Sequence, residues 1–205
     1  MKNKKIYTFL MLFLLFIFCI STKSHASNNE PSITSGSAIL LENSTSKVLF
    51  EKNMNEKLEP ASITKIMTAI LAIENCNLDD VVTVPYEAIS NIPSGYSVAP
   101  LQTDEQITVD QLLRVLMVHS ANDAANALAY HIDGSIPAFA ERMNAKLNAL
   151  GLKDSHFTNP SGQHDTNHYS TAHDIAILLQ YCMKNTTFKT YASLKSCQLS
   201  ATNKS

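Results

Sequence analysis

Ser62-Ile63-Thr64-Lys65 sets a hydroxyl and an amine three residues apart, where an apolar periodic segment begins after Pro60. On a helix, residues at that spacing are neighbours, with Cβ atoms roughly 5–6 Å apart. Helical side chains lean toward the N-terminus, so Lys65 reaches back over Ser62, whereas a lysine three residues earlier would point away. A hydroxyl near the positive end of a helix dipole also suits the negative charge that develops when it attacks a carbonyl. The chemistry suggested is nucleophilic catalysis, with Lys65 as the base. That role requires a neutral Lys65, and bringing its pKa from about 10.4 to near 7 takes roughly 4–5 kcal/mol of differential destabilisation of the ammonium. Burial against an apolar helix supplies such a penalty, and the small Ala69 and Ala72 on the same side are expected to leave room for a substrate or another polar segment. The competing reading is a solvated serine N-cap with an exposed lysine one turn on.

Two further strings calibrate the pattern. Ser44-Thr45-Ser46-Lys47 has the same Ser-x-x-Lys letters but lies in a polar turn, without a helix or an apolar wall. Ser120-Ala121-Asn122 follows the apolar segment that ends near Val118 and precedes the Ala-rich stretch Ala124 to Ala129. A hydroxyl and an amide at a helix junction are suited to relaying a proton and to hydrogen-bonding a peptide. The tripeptide alone is equally readable as an N-cap, and Ser27-Asn28-Asn29 matches it too.

The elements that must position these residues follow from periodicity. Ala38-Ile39-Leu40-Leu41 and Val48-Leu49-Phe50, separated by Asn43-Ser44-Thr45-Ser46, predict a β-hairpin. Ile63, Ile66, Met67, Ile70 and Leu71 recur at helical spacing, so a buried amphipathic helix is expected from about Ala61 or Ser62. Val81 to Val84 is β-prone and ends at Pro85, and Asn91 to Gln102, with Pro93, Gly95 and Pro100, reads as loop. Val109, Leu112, Leu113, Leu116 and Met117 make one helical stripe, and Phe139, Met143, Leu147 and Leu150 make another, closed by Gly151 as C-cap. Ile175, Leu178, Leu179 and Cys182 make the last, opened by a capping box of Thr171 with Asp174. Strands first and helices after indicate the α+β class.

The 205 residues are 45% hydrophobic and 17% charged, enough to bury one core. A net charge of −2 without a basic patch argues against a nucleic-acid partner. Lys2, Lys4 and Lys5 precede the apolar run Phe9 to Phe18, and Ser24-His25-Ala26 follows. This is the pattern of a signal peptide spanning residues 1–26, with cleavage before Ser27, and the run falls short of the roughly 20 apolar residues that a bilayer requires. The protein is therefore expected to be exported. Cys19 leaves with the signal, and Cys76, Cys182 and Cys197 form no disulfide framework: one pair and a free thiol, or three thiols, both fit.

Five blocks in order carry a resemblance. Pro60 to Ala69, Ser120-Ala121-Asn122-Asp123-Ala124-Ala125, Met143-Asn144, Leu150-Gly151-Leu152 and Tyr169-Ser170-Thr171-Ala172-His173-Asp174 together resemble the serine-type D-alanyl-D-alanine carboxypeptidases, the low-molecular-mass penicillin-binding proteins. The likeness runs from about Gly36 to Asn185. It implies a penicillin-binding, β-lactamase-like fold, an antiparallel sheet flanked by helices. It implies Ser62 as the acylated nucleophile, Lys65 as its base, Ser120 as proton relay to the leaving D-alanine and Asn122 as a ligand for the peptide. The Ser62 N–H would be half of the oxyanion hole. The implied partners are peptidoglycan stem peptides ending in D-Ala-D-Ala and, as covalent inhibitors, β-lactams. No metal or organic cofactor is implied. The implied location is the cell wall or the outer face of the cytoplasmic membrane, with membrane attachment through a C-terminal segment as in many family members, and the implied role is in peptidoglycan synthesis and cell shape.

The family's third motif, Lys-Thr-Gly, does not occur in these residues; Lys189-Thr190-Tyr191 falls too early and carries a Tyr where a bare backbone is needed. Residues 27–205 are therefore expected to be a catalytic domain truncated before that strand, and to lack useful turnover by themselves. His119 replaces a small residue before Ser120, and Gln163-His164 follow Gly162 where the family usually has Leu. Three rivals remain. A class A β-lactamase would need the letters of Glu141-Arg142-Met143-Asn144 in a loop, but they lie on a helical stripe. A metallopeptidase would use His156, His164, Asp165, His168 and His173, which read better as scattered surface groups. The third is a catalytically incompetent fragment that only binds muropeptide.

Overall fold

The computed structural model describes residues 31–204, so the expected signal segment lies outside the described residues. The body of the fold is the unit from Ser35 onward. It opens with the expected hairpin, strands β1 (Ala38–Leu41) and β2 (Val48–Lys52), antiparallel with Ala38 opposite Lys52 and an irregularity between Leu40 and Leu41. A 3-10 turn (Ala61–Thr64) then runs into α1 (Lys65–Asn75). The helix start expected at Ala61 or Ser62 is thus a tighter turn, and the α-helix proper begins at Lys65.

Strand β3 (Val81–Thr83), helix α2 (Tyr86–Ser90) and strand β4 (Gln106–Thr108) follow, β3 pairing antiparallel with β4. Helix α3 (Val109–His119) is opened by a capping box between Thr108 and Gln111. Helices α4 (Asn122–Asp133) and α5 (Ile136–Ala149) complete the core with α6 (Ala172–Cys182) and α7 (Thr186–Ala192). The α+β class is borne out, with the β part of the described residues divided between two two-stranded antiparallel sheets.

Helix α1 is the centre. Met67, Ala69, Ile70, Leu71 and Ala72 are buried, and α3, α4, α5, α6 and α7 all pack against it. A helix with neighbours on nearly every side needs apolar residues all round rather than on one stripe. Ala69 and Ala72 are accordingly wholly buried in this packing, so of the two expectations for them, space for a substrate or for another polar segment, the first is not met. Helix α4, which packs against α1, likewise buries its own Ala124, Ala125, Ala127 and Ala129 fully.

Helix α5 ends as Gly151 suggested. Gly151 sits at φ 77°, its N–H donates to Asn148 O at 3.0 Å, and the Leu152 N–H donates to Leu147 O at 2.9 Å, which is a Schellman close. At α6 only half of the expected box forms: the Asp174 N–H donates to Thr171 Oγ1 at 3.0 Å. The Asp174 carboxylate instead accepts from the Asp154 N–H and Ser155 Oγ, at 3.1 and 2.8 Å. Cys76, Cys182 and Cys197 stand unbonded in the structure, the arrangement of the three-thiol alternative. Among the described residues no helix is long and apolar enough to cross a membrane.

Candidate active site

Ser62 lies in the 3-10 turn, exposed, and Lys65 is buried directly after it. A 3-10 turn has about three residues per turn, so residue i+3 stands over residue i. Lys65 Nζ accordingly lies 3.0 Å from Ser62 Oγ. Two more oxygens hold the same nitrogen: Asn122 Oδ1 at 3.0 Å and the Ser161 carbonyl at 2.8 Å. Burial removes water from the ammonium and brings the Lys65 pKa down to about 8.

The position of the lone pair follows from the partners. The ammonium donates to all three oxygens; once it loses a proton, Asn122 Oδ1 and Ser161 O can keep its two N–H groups, which leaves the lone pair toward Ser62 Oγ, where it can accept the hydroxyl proton. The Asp123 carboxylate gives Lys65 no counter-ion. It accepts instead from the Ala99 N–H at 2.9 Å and the Leu101 N–H at 3.0 Å, pinning the loop before β4. That loop in turn fixes Asn122, whose Nδ2 donates to Ser97 O at 2.8 Å. The amide therefore has one orientation, oxygen to Lys65.

Ser120 stands where α3 ends, at φ 56° and ψ 35°, in the left-handed region that costs a non-glycine residue roughly 1 kcal/mol or more. It is not an N-cap: Ala121 occupies that position of α4, without a side-chain cap. The strained corner reverses the chain so that Asn122 comes to Lys65. The Ser120 hydroxyl itself makes no side-chain hydrogen bond with Ser62, Lys65 or Asn122 among the described residues. The structure thus brings three of the four expected residues into one hydrogen-bonded group.

A fourth contributor carried no clear sequence signal. Residues 157–168 form a loop laid over the 3-10 turn, giving Ser161 O to Lys65 and Pro160 O to Thr68 Oγ1 at 2.6 Å. Asn159 Oδ1 gathers the backbone N–H groups of Ser161, Gly162 and Gln163 at 2.8–3.2 Å, which shapes the turn. Gly162 is required where the two segments meet: a Cβ there would come within 1.8 Å of Ala61 O. The only sequence hint was the turn-forming string Asn159-Pro160-Ser161-Gly162.

His168 pins the far end of this loop and is buried, which corrects its reading as a surface group. The Thr158 N–H donates to its Nδ1 at 3.1 Å, so Nε2 carries the hydrogen and donates to Thr64 Oγ1 at 2.8 Å. The ring stacks on Phe157 with centroids 5.0 Å apart, and burial pushes its pKa down to about 4. Between pH 6.5, the ordinary histidine value, and about 4, the unfolded chain therefore takes up a proton that the folded chain refuses. Stability contributed by neutral His168 is complete above that window and is lost as pH falls through it. Thermal melts across this range should show a shallower pH dependence in His168→Gln than in the parent, and identical slopes would contradict the pin.

The other histidines are engaged separately. His164 faces Glu59, His156 Nδ1 meets Asn167 O, and His173 meets Asp174, so the metallopeptidase constellation does not assemble. Glu141 is an exposed residue of α5, as a helix-surface glutamate should be. Lys189-Thr190-Tyr191 lies within α7 and forms no strand; Tyr191 is buried and its hydroxyl donates to Asp110 at 2.6 Å. Ser44 is an exposed turn residue whose hydroxyl donates to Glu42 at 2.8 Å. One cleft lies beside the Ser62 segment and another beside the 157–168 loop. One is apolar, lined by Leu58, Pro60, Ile63 and Ile175, and the other polar, lined by Asn126, Tyr130, Asn159, Ser161 and Gln163.

Comparison with known proteins gives one answer. The profile of a family described as D-alanyl-D-alanine carboxypeptidase matches residues 24–205. D-alanyl-D-alanine carboxypeptidase DacF of Bacillus subtilis is 41% identical over 153 residues, covering 72% of this chain and 39% of the relative. D-alanyl-D-alanine endopeptidase of Pseudomonas aeruginosa is 33% identical over 151 residues, covering 73% and 48%. Among solved structures, penicillin binding protein 6B from Escherichia coli superposes with a TM-score of 0.79 at 32% identity, covering 87% of this chain and 60% of that one. The carboxypeptidase DacD from Francisella tularensis gives 0.74 at 32% identity, covering 79% and 40%. The chain spans between two fifths and half of the length of these curated relatives.

Proposed function

The chain belongs to the D-alanyl-D-alanine carboxypeptidase family, and from that premise we propose that Ser62, Lys65, Ser120 and Asn122 remove the terminal D-alanine from peptidoglycan stem peptides through an acyl-enzyme. The observation that carries this reading is the buried Lys65 amine, fixed by Asn122 and Ser161 at 3.0 Å from Ser62 Oγ. Ser62 Oγ adds to the carbonyl carbon of the penultimate D-alanine while its proton passes to Lys65 Nζ. The tetrahedral adduct then breaks its C–N bond, and the departing amine takes a proton through the Ser120 hydroxyl. Hydrogen bonds of this kind tighten only when substrate is present, which fits a Ser120 hydroxyl not yet joined to the pair. Asn122 keeps one amide hydrogen beyond the one given to Ser97, and that hydrogen meets the peptide. Water completes the cycle by hydrolysing the ester. A β-lactam enters by the same attack, but its leaving amine stays tethered and the adduct persists.

Residues 1–26 are, on this reading, an export signal, and residues 27–205 are the front of a catalytic domain working on the outer face of the membrane or in the cell wall. N-terminal sequencing of exported protein should return Ser27, and recovery of Met1 would refute the processing. The activity is tested by expressing the gene with whatever follows residue 205 and supplying a pentapeptide that ends in D-Ala-D-Ala. One free D-alanine per peptide is expected. Rapid turnover of penicillin without D-alanine release would instead mean a β-lactamase.

A further inference from the structure

Away from the Ser62 site, three elements end at one place. Cys76 follows directly on α1, Asp80 closes the turn before β3, and His131 lies in the last turn of α4. One sulfur, one carboxylate oxygen and one ring nitrogen lie within 4.8 Å of one another. Tetrahedral zinc, with bonds of about 2.0–2.3 Å, sets its ligand atoms roughly 3.5 Å apart, so a side-chain adjustment brings these three to coordinating distance.

The backbone under each group is fixed. The Cys76 N–H donates to Ala72 O at 3.0 Å, and the Asp80 N–H to Asn77 O at 3.1 Å. Asn77 also aims the carboxylate, its N–H donating to Asp80 Oδ2 at 2.7 Å, the kind of outer support that metal ligands have. The Gly134 N–H donates to Tyr130 O at 2.9 Å and closes the turn that carries His131.

The charge balance points the same way. Among the described residues Asp80 makes no ion pair, and neither the Cys76 sulfur nor the His131 ring makes a side-chain hydrogen bond. The cation whose field reaches Cys76 is Arg142, and its guanidinium is already held by both oxygens of Asp133, at 2.7 and 2.6 Å. We propose that Cys76, Asp80 and His131 form a three-ligand site for a divalent transition metal of the zinc type, with water in the fourth position on the exposed side. Thiolate, imidazole and carboxylate together are the donor set of such ions rather than of calcium or magnesium. On binding, the thiol loses its proton to solvent and the sulfur bonds the metal. The bound ion would tie the end of α1 to the end of α4.

Cobalt titration of the full chain, stripped of metal and kept reduced, tests this. We expect one equivalent of Co²⁺ bound, a thiolate-to-cobalt charge-transfer absorption, and its displacement by Zn²⁺. Cys76→Ser should abolish that absorption, while Cys182→Ser and Cys197→Ser leave it unchanged. His131→Ala, at an exposed position that the fold does not depend on, should weaken Co²⁺ binding about tenfold or more. If Cys76→Ser does not fold, His131→Ala decides the matter. No charge-transfer band, a band that survives Cys76→Ser, or unchanged binding by His131→Ala would each overturn the site.

Discussion

Ser62→Ala abolishes covalent labelling by a fluorescent penicillin, and Ser44→Ala leaves it intact, when the gene is expressed with any sequence that follows residue 205. The two serines share the Ser-x-x-Lys letters and differ in everything else that a nucleophile needs. Ser62 Oγ has the Lys65 amine at 3.0 Å, whereas Ser44 Oγ donates to the Glu42 carboxylate in an exposed turn and has no base. Loss of the nucleophile in a serine hydrolase costs on the order of 10⁶-fold in turnover, and no neighbouring hydroxyl at this site holds the same amine. Labelling that persists in Ser62→Ala would mean that the nucleophile lies elsewhere.

The second large effect belongs to Lys65. Lys65→Ala should lower the acylation rate by about 10²–10⁴-fold, the usual contribution of a positioned base. Lys65→Arg should do no better, because a guanidinium stays protonated and offers no lone pair. The parent protein should also reveal the base through pH. With the pKa brought down to about 8, the neutral form grows as pH rises. Acylation should therefore climb roughly tenfold between pH 7 and 9 and level off above. Penicillin acylation followed by stopped flow measures this directly, and a rate that is flat from pH 7 to 9 would remove Lys65 from the role.

Much of this arrangement was legible in the sequence because it rests on local rules. The order Ser62 then Lys65, the stripes of α3, α5 and α6, the hairpin and the Gly151 close all depend on residues a few positions apart. What escaped was of two kinds. Helix α4 has no stripe to detect: its buried Ala124, Ala125, Ala127, Leu128 and Ala129 face neighbours nearly all round, so periodicity vanishes where burial is greatest. Helix α7 has only Phe188 and Tyr191 buried, too few to set a period.

The site's hidden parts are backbone groups and distant partners. The Ser161 carbonyl that fixes Lys65 is 96 residues away in sequence and has no side-chain signature. His168 looked like one of several scattered histidines because its partner, Thr64, lies 104 residues earlier. The Ala69 and Ala72 expectation failed for a related reason. Small residues beside a candidate nucleophile suggest space for a ligand, but here both are wholly buried in a helix packed by others on several sides.

The most direct test of the account is to locate the covalent adduct. Protein treated with penicillin, digested with trypsin and analysed by tandem mass spectrometry should carry the penicilloyl group on the peptide of residues 58–65, with fragment ions placing it on Ser62. An adduct on Ser120, on Ser44 or on any peptide outside that segment would contradict the account.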